Sequence, residues 1–143
     1  MGINNNLSIL DIKNKAIGDN MMFDKLCIEK IYKKDKWQTR RRYNPSRRPA
    51  IPGAIHKLKI DRSKNDYGLI EILDVFPQMF YEITEEDAIA EGFDSLQEYK
   101  EYFWEVNGYH NPLDMIWVVH FRRIKYAVPE LNEPDKVPEE WWA

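Results

Sequence analysis

The sequence predicts one small domain of the α/β (α+β) class, in which helices and strands share a single core. Three segments have the periodicity or the end residues of helices, and three short segments have the composition of strands. The 143 residues fit one domain better than two, and 43% of them are apolar, which is enough for a core.

The first predicted helix covers residues 22–34, where apolar side chains recur at three- and four-residue spacing and place Cys27 on the buried side. The second helix begins at Thr84, whose hydroxyl can cap it, and ends at Gly92, which can adopt the left-handed conformation. The third helix is capped by Ser95 and ends at residues 107–108, an Asn-Gly pair.

The predicted strands are short segments rich in β-branched and aromatic residues, at positions 54–60, 69–76 and 115–121. The second strand is expected to end at Pro77, because proline cannot donate to a strand ladder, and to resume at residues 80–83. The third is a continuous apolar run broken only by His120, which is typical of a buried strand.

The chain carries its charges unevenly. Between residues 22 and 48, ten Lys or Arg stand against three Asp or Glu, whereas from residue 81 onward fifteen acids stand against five bases. The formal net charge of −3 argues against a protein that coats DNA, and the basic segment favours a bounded site for a polyanion.

The sequence also favours a cytoplasmic location. Cys27 is the single cysteine, so no internal disulfide can form, which fits a reducing compartment. The first residues contain no apolar run typical of a signal peptide, and no segment approaches the roughly 20 apolar residues of a membrane span. We therefore expect no membrane association.

The most informative segment is the basic stretch at residues 34–42, which holds five Lys or Arg side chains together with Trp37 and Thr39. Unpaired cations cannot be buried as ordinary core, so the stretch must be a solvated surface or line a site that takes positive charge. We interpret it as part of a site for a nucleotide or single-stranded RNA. The three histidines are far apart and show no metal-ligand spacing, so neither a metal nor a cofactor is predicted.

Two motifs in the expected order carry a resemblance to a known family. The first is Lys36-x-x-Thr39-x-Arg41, and the second is the Thr-Glu-Glu-Asp-Ala-Ile-Ala-Glu-Gly-Phe segment at residues 84–93, followed by a Trp-Val-Val-His-Phe strand at residues 117–121. Together they resemble the ASCH domain family over residues 22–123. The resemblance implies a small PUA-like mixed β-barrel, with inserted helices packed at one side and a cleft between them, and a role with RNA or nucleotides.

The resemblance also implies a set of working residues. Some family members hydrolyse N4-acetylcytidine with a Lys, a Thr and a Glu, and the matching positions here are Lys36, Thr39 and Glu91. Trp37 replaces a small residue of the family pattern, so its ring is expected to narrow the pocket or to form a stacking floor. Residues three apart on a strand point to opposite faces, so Lys36 must lie before the strand, or beside a bulge, if it is to meet Thr39.

The predicted binding residues are basic or aromatic side chains that neutralise phosphates or stack on bases: Lys34, Trp37, Arg41, Arg42, Tyr43, Arg47 and Arg48. The same residues serve either binding of RNA or a modified nucleoside, or catalysis on it. The predicted organisation is an N-terminal extension at residues 1–20, the ASCH-type domain at residues 21–126 and a Pro-rich acidic tail at residues 127–143. A third alternative is a protein-interaction module, in which Trp141 and Trp142 of the tail dock a protein partner.

Overall fold

The computed structural model describes residues 6–7, 20–62 and 67–126 of the chain. These residues form a mixed α+β unit, as the sequence predicts. The described strands are β1 (Asn6–Leu7), β2 (Met21–Met22), β3 (Gln38–Arg42), β4 (Ile55–Lys59), β5 (Leu69–Met79) and β6 (Met115–Tyr126). The described helices are α1 (Lys25–Lys33), α2 (Glu85–Ala90) and α3 (Leu96–Asn107), with a 3-10 turn at Phe80–Glu82.

The strands form one sheet in the order β1-β6-β5-β4-β2, and β3 pairs with β6 beside this path. The pairs β3–β6, β4–β5 and β5–β6 are antiparallel, whereas the two-residue strands β1 and β2 pair in parallel with β6 and β4. Among the described residues β2 and β3 do not pair, so the sheet is open and closure into a barrel is not confirmed.

The two long strands exceed their predicted bounds. β5 continues through Pro77, which lies opposite Trp117 of β6. Proline is tolerated there because β4 covers the other edge of β5 only from Leu69 to Glu71, so that edge is unpaired at Pro77 among the described strands. β5 then ends in the 3-10 turn instead of resuming as a strand. β6 continues beyond Phe121, because Arg122, Arg123 and Ile124 remain paired with β5. The side chain of Arg122 also forms an ion pair with Glu71 at 2.6 Å.

The helix ends follow local side-chain chemistry. The side chains of Thr84 and Ser95 accept hydrogen bonds from the backbone N–H groups of Asp87 and Glu98, both at 3.1 Å, and so cap α2 and α3 as predicted. α1 begins later than predicted, at Lys25, because Met21–Met22 pairs with β4.

The two larger clusters of buried apolar residues pack the helices against the sheet and against one another. One packs α1 against the sheet and includes Ile28, Ile31 and Phe121, while the other packs α2 and α3 around Phe80 and Phe103. β3 contributes to neither cluster with an apolar side chain, which leaves its polar side chains at the junction between the two. Within the described ranges, no helix combines the length and the apolar character needed to cross a membrane.

Candidate functional site

A pocket of about 300 Å³ opens at the junction of β3, α1 and α3. Thr39 and Arg41 line it from one face of β3, and Arg40, which alternates with them, lines it as well. Because both faces of the strand contribute, the pocket lies along the edge of β3 that β6 does not cover. Its volume is at the lower end of the roughly 300–1,000 Å³ range of small-molecule pockets.

An ion pair between Lys36 and Glu91 lines this pocket. Lys36 Nζ lies 2.5 Å from Glu91 Oε1 and also donates to the Glu91 backbone carbonyl at 3.1 Å. Only 3% of Lys36 and 2% of Glu91 is exposed. Lys36 lies two residues before β3, next to Asp35 with its positive φ of 51°, which is the arrangement that the predicted meeting of Lys36 and Thr39 requires.

Arg40 shares the same carboxylate. Its Nη1 donates to Glu91 Oε2 at 2.9 Å and to Gln38 Oε1 at 2.7 Å, and its Nη2 lies 3.3 Å from Asp87 Oδ2. A buried charge is stable only when it is paired and hydrogen-bonded, and Arg40 meets that condition through α2 and its own strand. Glu91 therefore serves two buried cations at once.

The position of Glu91 depends on the turn that ends α2. Glu91 is the C-cap, and Gly92 follows with a φ of +96°; Gly92 N–H donates to Ile89 and Phe93 N–H donates to Ala88, both at 2.9 Å, so the helix ends in a Schellman motif. α1 packs tightly on this turn, because Lys30 Nζ donates to the Gly92 carbonyl at 2.7 Å. The predicted helix end at Gly92 is thus confirmed, and it fixes Glu91 over the pocket.

Replacing Gly92 by Ala is expected to lower the free energy of unfolding by about 2–3 kcal/mol, through backbone strain and overpacking. A Cβ atom at Gly92 would lie 2.9 Å from Lys30 Cβ, so α1 would have to move. Gly53→Ala is the matched control, because Gly53 has a similar φ of +91° but no described atom within 4 Å of the added carbon. Urea denaturation of both variants measures the difference, and equal losses would contradict the role given to the Lys30 contact.

Arg41 lines the same pocket as the ion pair. Its guanidinium group stacks over the Phe23 ring at 4.7 Å from the centroid. Burial lowers the pKa of Arg41, and the negative charge of Glu91 only partly opposes that shift. Thr39 is buried on the same face of β3 and lines the same pocket.

A second polar group joins α1 to α3 at the pocket wall. The Tyr102 hydroxyl donates to Asp24 Oδ2 at 2.5 Å and lies 3.1 Å from Cys27 Sγ. Burial favours a higher pKa for Asp24, but the hydrogen bonds from Tyr102 and from the Cys27 amide, with Lys36 nearby, hold that pKa below its ordinary value. Burial raises the pKa of the Cys27 thiol, so the protonated form is favoured.

Tyr99 completes the wall from α3. Burial raises the pKa of its hydroxyl well above the ordinary value, and the charge of Glu91 and a hydrogen bond to Glu91 add to the shift. The neutral tyrosine therefore stands as a further donor beside the carboxylate.

The structure brings Lys36, Thr39, Arg41 and Glu91 together at one pocket, and leaves the other predicted binding residues outside its lining. Those others are exposed side chains at the ends of β3 and in the loop after it: Lys34, Trp37, Arg42, Tyr43, Arg47 and Arg48. Trp37, whose ring was predicted to narrow the pocket or to form a stacking floor, packs against His120 at 4.9 Å between ring centroids and is not among the lining residues.

The lining residues that were missing from the predicted set include all of the pocket's remaining charged and phenolic side chains: Arg40, Asp24, Tyr99 and Tyr102. Arg40 lies inside the basic stretch, but strand alternation directs attention to Thr39 and Arg41. Tyr99 and Tyr102 lie three apart on α3, a spacing that places both on one helix face and was the available signal for them. The Trp141–Trp142 tail lies outside the described residues.

No protein-family model matches the sequence, and no curated protein matches it. Two solved structures match the fold. One is an ASCH domain from Lactobacillus crispatus JV V101, with a TM-score of 0.61 and 14% identity, covering 82% of this chain and 86% of that one. The other is a DUF984 protein from Enterococcus faecalis V583, with a TM-score of 0.58 and 14% identity, covering 88% and 87%. The structural similarity to these two proteins shows that the chain has the ASCH-domain fold.

Proposed function

We propose that the pocket binds one nucleoside unit, either a modified nucleoside or a nucleotide of an RNA strand. The observation that carries the proposal is the buried network in which Lys36 and Arg40 share Glu91 at the edge of an open pocket. Ionised groups are costly to bury, and ion pairs of this kind give little net stability, so their place beside a pocket favours a functional role.

The location of Glu91 also supports a functional role for the network. The residue caps the C-terminal end of α2, where the helix dipole disfavours negative charge, and it is 2% exposed. Local helix chemistry alone would not select a buried carboxylate there. Violations of local preference are expected at functional sites, where another requirement decides the residue.

The remaining lining suits a nucleoside. Hydroxyl and amide groups from Thr39, Tyr99, Tyr102 and Asn107 offer donors and acceptors for a base edge or a ribose. Phe103 and the tyrosine rings add aromatic surface for the flat base. A mostly apolar wall with a few placed polar groups is the usual composition of small-molecule sites.

The exposed arginines support RNA as a source of that unit. Arg42 is the last residue of β3, and Arg47 and Arg48 lie in the loop after it. Tyr43 packs against Trp117 at 5.1 Å between ring centroids while 37% of it is exposed. Cations and an accessible ring at this end of β3 match what neighbouring phosphates and bases of a strand require. Binding of RNA through these residues weakens as salt rises, in proportion to the phosphates contacted.

Amide hydrolysis of an acylated cytidine is the second candidate, favoured by the short contact between Lys36 and Glu91 in a pocket that also holds Thr39. In this scheme Glu91 takes a proton from Lys36, and the neutral amine takes the proton of Thr39 as its oxygen attacks the acetyl carbon. The bond from the acetyl carbon to N4 then breaks, and N4 receives the proton held by Lys36. Water hydrolyses the acetyl-threonine ester, so the products are cytidine and acetate.

Replacing Val106 by Trp is expected to weaken nucleoside binding by roughly ten-fold or more, because the larger ring occupies space that the ligand needs. Val106 lines the pocket and is 55% exposed, so the fold should tolerate the change. Leu113→Trp is the matched control, since Leu113 is 72% exposed and outside the pocket lining. The measurement is calorimetric titration at low salt with cytidine, N4-acetylcytidine and short RNAs containing each base.

Equal affinities for the two variants would place the binding surface elsewhere. The absence of binding to all of these probes by the unmodified protein would overturn the proposed function.

A further inference from the structure

We infer that the ligand carries an anionic phosphate group and that Arg41 binds it. The inference rests on the proposed function, because it takes the pocket as a nucleoside site and specifies the form of the nucleoside. It selects a nucleotide, free or within RNA, over an uncharged nucleoside.

The cations in the pocket are not equally paired with carboxylates. Three cations line it, namely Lys36, Arg40 and Arg41. Lys36 and Arg40 share Glu91, and Arg40 also pairs with Asp87. Among the residues that the structure describes, no carboxylate lies within 4.0 Å of the Arg41 guanidinium, and its one close partner is the Phe23 ring.

The guanidinium group of Arg41 has lost part of its hydration without gaining an anionic partner, because the residue is only partly exposed. Guanidinium cannot lose its proton in a protein, so Arg41 stays charged. A ring face attracts a cation, but this attraction replaces only part of the lost hydration. An anion that enters the pocket would supply the missing partner.

The geometry favours phosphate as that anion. A planar guanidinium presents parallel N–H donors that match two oxygens of a phosphate or a carboxylate. The anionic group of a nucleoside unit is its phosphate, so the two conclusions fit one ligand. Lys36 and Arg40 already share a carboxylate, Glu91, and that carboxylate is suited to donors on a base rather than to a second anion.

A purely structural role for Arg41 is the competing explanation. Its stacking on Phe23 could hold β3 against the start of α1 without any ligand. The two explanations differ in what a substitution does to phosphate-bearing and phosphate-free ligands. A structural residue affects both alike, whereas a phosphate-binding residue affects only the first.

The test compares Arg41→Gln with Arg62→Gln. Arg62 is the matched control because it carries the same side chain but is exposed and lies outside the pocket lining. The probes are the four ribonucleosides, their 5′- and 3′-monophosphates and short single-stranded RNAs, titrated by calorimetry at low salt. Melting temperatures show whether each variant is folded, and Arg41→Lys tests the charge without the planar fork.

We expect the unmodified protein to bind at least one monophosphate roughly ten-fold or more tightly than its nucleoside. Arg41→Gln should remove that difference and leave nucleoside affinity within about three-fold, while Arg62→Gln should preserve the difference. A loss confined to RNA would also support the inference and would identify a phosphodiester as the source.

Equal binding of nucleoside and monophosphate by the unmodified protein would overturn this inference and leave the proposed function standing. Parallel losses for both ligands in Arg41→Gln would assign Arg41 a structural role. Absence of binding to nucleosides, monophosphates and RNA alike would overturn the proposed function itself.

Discussion

Replacing Glu91 by Gln is expected to lower the free energy of unfolding by about 3–5 kcal/mol, the usual cost of removing one partner from a buried ion pair. The carboxylate lies 2.5 Å from Lys36 Nζ and 2.9 Å from Arg40 Nη1, and both cations are almost fully buried. The amide keeps the shape of the side chain but removes the charge. Two cations then lack their shared anion, and Asp87 can help only Arg40.

Glu29→Gln provides the control for this prediction. Glu29 also pairs with a lysine, Lys33, at 3.1 Å, but both side chains are well exposed on α1. Exposed pairs at this helical spacing contribute about 0.3–0.5 kcal/mol, so Glu29→Gln should remain within about 0.5 kcal/mol of the unmodified protein. Urea denaturation with both variants separates the cases, and a loss below about 1 kcal/mol for Glu91→Gln would show that water relieves the buried charges.

The parts of the fold that the sequence predicts best are those decided within a few residues. Thr84 and Ser95 cap their helices because the side-chain oxygen and the free N–H groups are separated by three positions. Gly92 ends α2 because its backbone conformation excludes most other residues. Each of these features needs no information about the rest of the chain.

The strand bounds were less predictable because they depend on which edge is covered. Pro77 is predicted to end a strand, yet it is accommodated within β5 at a position that β4 no longer covers. Met22 is predicted to begin a helix, yet it pairs with Lys59 of β4. Both outcomes are set by strands that are distant in the chain, which local patterns do not contain.

The candidate site also combines features that the sequence predicts with features that depend on distant parts of the chain. The resemblance brought Lys36, Thr39 and Glu91 into one hypothesis, and the structure places all three at the pocket. Arg40 was missed because alternation on a strand separates it from Thr39 and Arg41, and its partner Glu91 is 51 positions away. The pocket lies along a strand edge, where both faces contribute, and no sequence pattern marks that placement. Trp37 is next to Lys36 in the chain, but its ring packs against His120 and is not among the lining residues.

Replacing Thr39 by Ala is expected to lower kcat/KM for hydrolysis of N4-acetylcytidine by about 10³-fold or more, because the proposed nucleophile is removed while the rest of the pocket remains. Thr39 is 6% exposed and lines the pocket with the Lys36–Glu91 pair. Binding of the product cytidine should stay within a few-fold, since a missing hydroxyl and methyl group leave the other walls in place. Chromatographic measurement of cytidine and acetate release gives the rate, and calorimetry gives the affinity.

Thr39→Ser is the control variant for this prediction. Serine keeps the hydroxyl and loses only a methyl group, so it should retain activity within about ten-fold if the oxygen is the nucleophile. If Ser and Ala lose activity equally, packing of the methyl group against the pocket wall is the cause. If Ala retains the rate of the unmodified protein, another group attacks the acetyl carbon. If the unmodified protein binds cytidine but releases no acetate, hydrolysis is excluded for this substrate, and the buried Lys36–Glu91 pair serves binding alone.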